Sequence, residues 1–186
     1  MTKKGKVIWL TGLSGAGKTT LARRVVSFLK SREHAVIMLD GDELRAIFAQ
    51  SDSNGSHHSA QKRLELALRY CALCKLLSEQ GITVVIATIS LFHKVHKWNR
   101  LHLPNYIEIY LKVPIEELKR RDPKGIYSSY EAGDTRYVAG IDVAVEEPQS
   151  PNLTLSFQSG DTVDKYFDTI IEYILDSEIK YEDITL

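Results

Sequence analysis

Cysteine is almost absent from this chain: its 186 residues carry two, Cys71 and Cys74, and no second pair stands elsewhere. That scarcity excludes a disulfide framework and a four-cysteine zinc site. The pair forms C-x-x-C deep within "LALRYCALCKLL", whereas a redox pair of this spacing normally opens a helix. Both therefore read as small apolar residues of a helix, kept reduced in a cytoplasmic protein. Net charge is missing as well. Lys plus Arg and Asp plus Glu each number 24, which argues against a general binder of nucleic acid or of a membrane surface. The apolar run near the start, "VIWLT", is too short for a signal peptide or a membrane span and suits a buried strand. No internal repeat is visible, and the length fits a single compact domain.

What is present is an alternation of strands and helices. "KVIWLT" (Lys6–Thr11), "AVIML" (Ala35–Leu39), "TVVIATI" (Thr83–Ile89), "YIEIYLKV" (Tyr106–Val113) and "LTLSF" (Leu153–Phe157) are short and apolar or β-branched. Lys18–Arg32 places Leu21, Ala22, Val25, Val26 and Leu29 on one side of a helix. Ser59–Gln80 is apolar nearly all round and stops at Gly81. "VPIEELKRR" begins a further helix with Pro114 in its first turn. A last helix over Thr162–Leu175 has Asp161 as its expected N-cap and Val163, Phe167, Ile170, Ile171 and Ile174 as its apolar stripe. The pattern predicts an α/β fold of three layers with right-handed crossovers around a mainly parallel five-stranded sheet. The end "SEIKYEDITL" reads as a loosely held tail.

The first strand runs into "GLSGAGKTT", which fits G-x-x-x-x-G-K-[ST] between a strand and a helix. Gly12, Gly15 and Gly17 let backbone N–H groups, with those of Ser14, Ala16 and Thr20, turn onto phosphate oxygens at a helix N-terminus. Lys18 is placed to reach the β- and γ-phosphates of ATP, and the Thr19 hydroxyl to hold Mg²⁺. The motif is silent about where the phosphate goes. A GTPase would need a base-reading N-K-x-D, which is absent. An ATP-driven binding module would not need the acidic pair that ends the second strand. There, in "LDGDELR", Asp40 can face Mg²⁺ and Asp42 an incoming hydroxyl, with Arg45 one turn on to meet an anion. Carboxylates beside a phosphate site suit phosphoryl transfer to an alcohol.

Beside the polar loop "QSDSNGSHHS" (Gln50–Ser59), a second irregular stretch, residues 121–152, opens with "RDPKGIYSSYEAG" and has the length and charge of a mobile lid. Its Arg121 and Lys124, with Arg120 just before them, would bring positive charge over the transferring phosphoryl and exclude water. Arg120 and Arg121 could instead simply end their helix favourably, and for Arg120 that is the preferred reading.

Taken in order, "WLTGLSGAGKTTLA", "LDGDELR", "RRDPKGIY" and "GID…EEP" resemble the adenylylsulfate kinase (APS kinase) family over roughly Val7 to Phe157. The resemblance implies a P-loop nucleoside triphosphate hydrolase fold. It also implies MgATP-dependent phosphorylation of the ribose 3′-hydroxyl of adenosine 5′-phosphosulfate (APS) and, as is usual in the family, a homodimer. Residue by residue it makes Asp42 the group that orients the hydroxyl, Asp40 the one near Mg²⁺ and Lys124 the lid lysine. Arg45 and Arg63 would grip the acceptor's 5′ anion, and Arg121 would belong to the ATP site. His58, Ser90, Val138, Gly140 and Ile141 would border the acceptor.

The departures fall on the acceptor side. His58-Ser59 stands for the family's Phe-Ser, Leu66 for a nucleotide-contacting Asn, and "ISLFH" for I-S-P-Y-R, so that His93 replaces Arg. "VAGIDVAVE" has Val138 for Phe and Val145 for Tyr, and both phenylalanines that enclose the acceptor adenine are missing. The donor half is retained and the acceptor half rewritten. APS stays open as acceptor beside another small-molecule nucleotide, such as a cytidine-diphosphate derivative used in capsule or surface-glycan modification. A catalytically quiet nucleotide-binding regulator is the alternative of another class.

Overall fold

Five strands too short and too apolar to stand alone pair side by side in the computed structural model, which describes residues 4–32, 35–48 and 60–182. In chain order the elements are β1 (Val7–Thr11), α1 (Lys18–Ser31), β2 (Val36–Asp40), α2 (Gly41–Phe48), α3 (Ala60–Glu79), β3 (Thr83–Thr88), α4 (His93–His102), β4 (Tyr106–Lys112), α5 (Ile115–Arg121), α6 (Ile126–Glu131), β5 (Leu153–Ser156) and α7 (Val163–Glu182). The sheet order is β2-β3-β1-β4-β5 and every pairing is parallel. This is the three-layer α/β architecture expected from the alternation of elements.

Period-2 alternation along β1 divides the interior. Ile8 and Leu10 join Leu21, Val25 and Leu29 of α1 and Ile170 and Ile174 of α7. Val7 and Trp9 point the other way, to Ala67, Cys71 and Cys74 of α3 and Val95 of α4. Burying a Leu or Ile side chain in such a layer contributes about 1.5–3 kcal/mol, and both layers must form for the central strand to leave water. The two thiols are free and buried, and burial pushes Cys71 up to about 12 and Cys74 higher still. They are core residues, as their place in the helix suggested.

Three details differ from the sequence pattern. First, α3 is not apolar all round in its packing: it buries the stripe Ala67, Tyr70, Cys71, Cys74 and Ser78 and leaves Leu76 58% exposed. Second, Thr162 caps α7, its Oγ1 accepting the Lys165 N–H at 3.2 Å. Asp161 instead accepts the Tyr166 hydroxyl at 2.7 Å, and Val163 faces solvent. Helix α7 also continues to Glu182, into the stretch expected to be a loose tail. Third, α4 and α6 were not legible. Only Val95, His96 and Asn99 of α4 are buried, too thin a stripe to show as periodicity.

Among the described residues no helix is long and apolar enough to cross a membrane.

Candidate active site

The chain leaves β1 through Gly12, whose backbone lies so near β4 that a Cβ there would stand 2.6 Å from the Leu111 carbonyl oxygen. The loop then closes with Gly17 left-handed at φ 96°, directly before α1. Gly17 has no side chain with which to cap the helix, so the first N–H groups of α1 meet no side-chain acceptor. Such a helix end, carrying the positive pole of the dipole, is suited to an anion.

Lys18 Nζ donates to the Leu13 carbonyl across the loop at 2.7 Å. Loss of hydration, then the nearby charge of Lys124, pulls its ammonium down to about 8. The Thr19 hydroxyl donates to Asp40 Oδ2 at 2.7 Å, and Asp40 Oδ1 accepts the Asp42 N–H at 2.9 Å. Asp40 therefore ties the phosphate loop to the start of α2. Gly41 lets that turn lie against β3, since a Cβ would come 2.9 Å from Thr88 Oγ1.

Residues 122–131, in the stretch expected to act as a lid, reach the same place from the far side of the chain. Asp122 accepts N–H bonds from Tyr127 (3.1 Å) and Ser128 (2.9 Å), which starts α6 and bends residues 122–125 into a tight turn. The Tyr127 hydroxyl donates to the Ser14 carbonyl at 2.9 Å, docking α6 on the phosphate loop. Lys124, at the tip of the turn, donates to Asp42 Oδ2 at 2.5 Å. Partial burial pushes the Asp42 carboxyl up, but the hydrogen bond and charge of Lys124, with Arg45 and Lys18, outweigh it and hold the group below its usual range.

Two clefts result. One, of about 350 Å³, is lined by Ser14, Lys18, Thr19, Asp40, Asp42 and Lys124. The other, of about 510 Å³, is lined by Arg63, Leu66, Tyr70, Ser90, Phe92, Ala139 and Val143–Val145. Arg45, Thr88 and Ile89 line both. The second cleft has a cationic end, where burial and then the charge of Arg45 lower the Arg63 pKa, and a wall of aliphatic side chains.

Of the residues singled out from the sequence, Lys18, Thr19, Asp40, Asp42, Arg45 and Lys124 come together as expected, with Ser14 beside them. Arg63 and Ser90 line the acceptor-side cleft. Three residues expected there are placed elsewhere. Val138 is buried in the core layer of α1 and α7, Ile141 packs against that layer, and Gly140 lies against Leu13; their neighbour Ala139 lines the cleft. Arg121 does not line the phosphate cleft. Its guanidinium lies 4.7 Å from the centre of the Phe157 ring and its Nε donates to Glu117 Oε1 at 2.6 Å, while Arg120 binds the same carboxylate. His58 lies outside the described residues. Phe92 was missed as a candidate. An aromatic two residues beyond Ser90, where the chain turns out of β3 at φ 30°, was the available signal.

Comparison with known proteins agrees with this geometry. Residues 4–156 match the family model described as Adenylylsulphate kinase. A cytidine diphosphoramidate kinase of Campylobacter jejuni is 38% identical over 144 residues, 77% of this chain and 82% of that protein. An adenylyl-sulfate kinase of Pseudomonas aeruginosa is 36% identical over 170 residues, 90% and 84% respectively. The Mycobacterium tuberculosis APS kinase CysC, solved with AMPPNP and APS, superposes with a TM-score of 0.81 at 29% identity, covering 92% of this chain and 98% of that one. The chain therefore belongs to the adenylylsulphate kinase family and is an ATP-dependent phosphotransferase.

Proposed function

We propose that this chain transfers the γ-phosphoryl group of MgATP to the ribose 3′-hydroxyl of a nucleotide held in the second cleft, as a homodimer in the cytoplasm. The observation that carries this reading is the continuity of the clefts: Arg45, Thr88 and Ile89 line both, and Asp42 stands in the phosphate cleft next to that junction. Lys18 and the glycine-rich loop take the triphosphate. The Thr19 hydroxyl and Asp40 carboxylate are hard oxygen donors of the kind Mg²⁺ accepts, and they would hold the ion. The ion, when bound, neutralises charge on the phosphates.

Before acceptor binds, Asp42 is occupied by Lys124. An entering hydroxyl takes that carboxylate and releases the Lys124 ammonium toward the phosphoryl group, where positive charge stabilises the transition state. The hydroxyl oxygen forms its bond to the γ-phosphorus, the bond to the β-phosphate oxygen breaks, ADP departs, and the hydroxyl proton passes to Asp42.

The acceptor we favour is a pyrimidine nucleotide with a 5′-diphosphate-type group, such as cytidine diphosphoramidate, over APS. Arg45 and Arg63 supply the cationic end for a 5′ anion. Of the two aromatic rings in the lining, Tyr70 is buried with its hydroxyl on the Gly41 carbonyl, which leaves Phe92 with surface to offer a base. The resemblance to the Campylobacter jejuni kinase supports the same choice.

Incubation with MgATP and each of cytidine, uridine and guanosine 5′-diphosphate derivatives or APS should release ADP only when an acceptor is present. The nucleotide should gain one 3′-phosphate by mass and by ³¹P spectroscopy. ADP release unaffected by every acceptor would mark a hydrolase, and no ADP release at all a quiet nucleotide-binding regulator.

A further inference from the structure

A third cavity, of about 640 Å³, shares no lining residue with either cleft. It lies between α4, which contributes His93, His96, Lys97 and Arg100, and the C-terminal end of the lid, which contributes Gln149 and Ser150. Among the described residues no carboxylate lines it. Behind it stands Glu108 of β4, wholly buried and fully engaged. One of its oxygens meets His96 Nδ1 and accepts the Tyr106 hydroxyl at 3.1 Å, and the other meets Arg100. Asn99 Nδ2 in turn donates to the Tyr106 oxygen at 3.2 Å.

The single carboxylate of Glu108 is thus shared by His96 and Arg100, and Lys97 forms no ion pair among the described residues. The second nitrogen of the His96 ring, Nε2, has no hydrogen-bond partner among them either, and His96 is only 4% exposed. A buried imidazole nitrogen without a partner is costly unless something in the adjoining space meets it.

We propose that this cavity is a second anion site, separate from the phosphate loop, which takes the tetrahedral oxyanion of a phosphate- or sulfate-bearing small molecule. Lys97 and Arg100 supply charged donors from one wall, with the unpartnered ring of His96 beside them, and the Gln149 amide and Ser150 hydroxyl supply neutral donors from the other. Its position matters because the lid is already fastened nearby. The Glu146 N–H donates to the Leu91 carbonyl at 3.0 Å, the His93 N–H donates to Glu146 Oε2 at 2.7 Å, and the His93 ring meets the Glu147 carbonyl at 3.0 Å. An anion gripped by both walls fastens the end of the lid to α4 at a further point.

The experiment uses the whole chain with MgADP bound, so that the phosphate loop is filled, and follows the ring signals of His93 and His96 by NMR. Inorganic phosphate, inorganic sulfate and a nucleoside 3′,5′-bisphosphate are titrated in turn. The expected result is a saturable shift of both rings at millimolar ligand or below. Affinity should fall about tenfold in Lys97→Glu, where repulsion replaces a charge-assisted hydrogen bond, and fall again in Gln149→Glu on the opposite wall. Saturation by the inorganic ions as tight as by the bisphosphate identifies a free anion, and tighter saturation by the bisphosphate a nucleotide. Shifts that stay linear with every ligand, or equal affinity in both variants and the unaltered chain, overturn the proposal.

Discussion

The phosphate cleft and the acceptor cleft meet at Arg45, Thr88 and Ile89, yet they are built from different materials. The first consists of backbone N–H groups, a helix end, two ammonium groups and two carboxylates, and each of these four charged groups is held by a partner within 3 Å. The second consists of side-chain surfaces: Leu66, Phe92, Ala139 and Val143–Val145 around two guanidinium groups. Triphosphate is the same in every kinase, and a cradle of peptide groups can change only if the loop itself refolds. A wall of side chains can be altered one residue at a time, which is why we propose that acceptor choice is set there.

Breaking the first region should therefore cost far more than altering the second. Lys18→Ala should lower phosphoryl transfer by about 10³-fold or more, beyond the usual range for one lost transition-state donor because the ammonium also binds ground-state phosphate. Circular dichroism should be unchanged, since Lys18 serves the loop and not the core. Turnover within a few-fold of the unaltered chain would remove Lys18 from the site.

Asp42→Asn should cost on the order of 10²-fold in kcat, the scale of a positioned base, with MgATP affinity barely moved. If MgATP affinity drops instead, Asp42 shares the metal-side role assigned to Asp40. In the acceptor cleft, Phe92→Leu should raise acceptor KM by roughly tenfold, within the worth of one base–aromatic stack, and leave the KM for MgATP alone. An equal rise in both KM values would show that Phe92 supports the fold and not the base.

The smallest expected effect concerns protons. Lys18 in the empty enzyme titrates at about 8, below its ordinary 10.5. Its charged form therefore burdens the fold fully below pH 8, and that burden lifts as pH rises from 8 through 10.5. Phosphate restores the charged form. MgATP binding just above pH 8 should take up a fraction of a proton, visible by calorimetry in buffers of different ionisation enthalpy, and Lys18→Ala should abolish the uptake.

How much of this was legible in the sequence follows the same division. The phosphate loop was, because close approach to Leu111 and the left-handed turn before α1 demand glycine at fixed spacing. The partnership of Thr19 with Asp40 followed from a carboxylate ending the second strand. Other features were hidden. Lys124 and Asp42 meet across 82 residues; the charge of the lid placed both at the transfer site, but nothing local showed that they pair. Phe92 was passed over because nothing local distinguishes a lining aromatic from a core one. Val138 was expected at the acceptor, but the pair of backbone bonds from Val138 and Tyr137 to Asp142 turns the segment so that Ala139 lines the cleft. Helix α4, whose His96 and Arg100 meet the buried Glu108 of β4, has too few apolar positions to be seen as periodicity.

If the donor half is kept while the acceptor half has been rewritten away from APS, the difference shows most directly in kcat/KM. Under saturating MgATP, a cytidine 5′-diphosphate derivative is compared with APS. The cytidine compound should lead by about tenfold or more, the equivalent of at least ~1.4 kcal/mol. An APS preference of about a hundredfold, or ~2.8 kcal/mol the other way, would contradict that division and make this an ordinary sulfate-activating kinase.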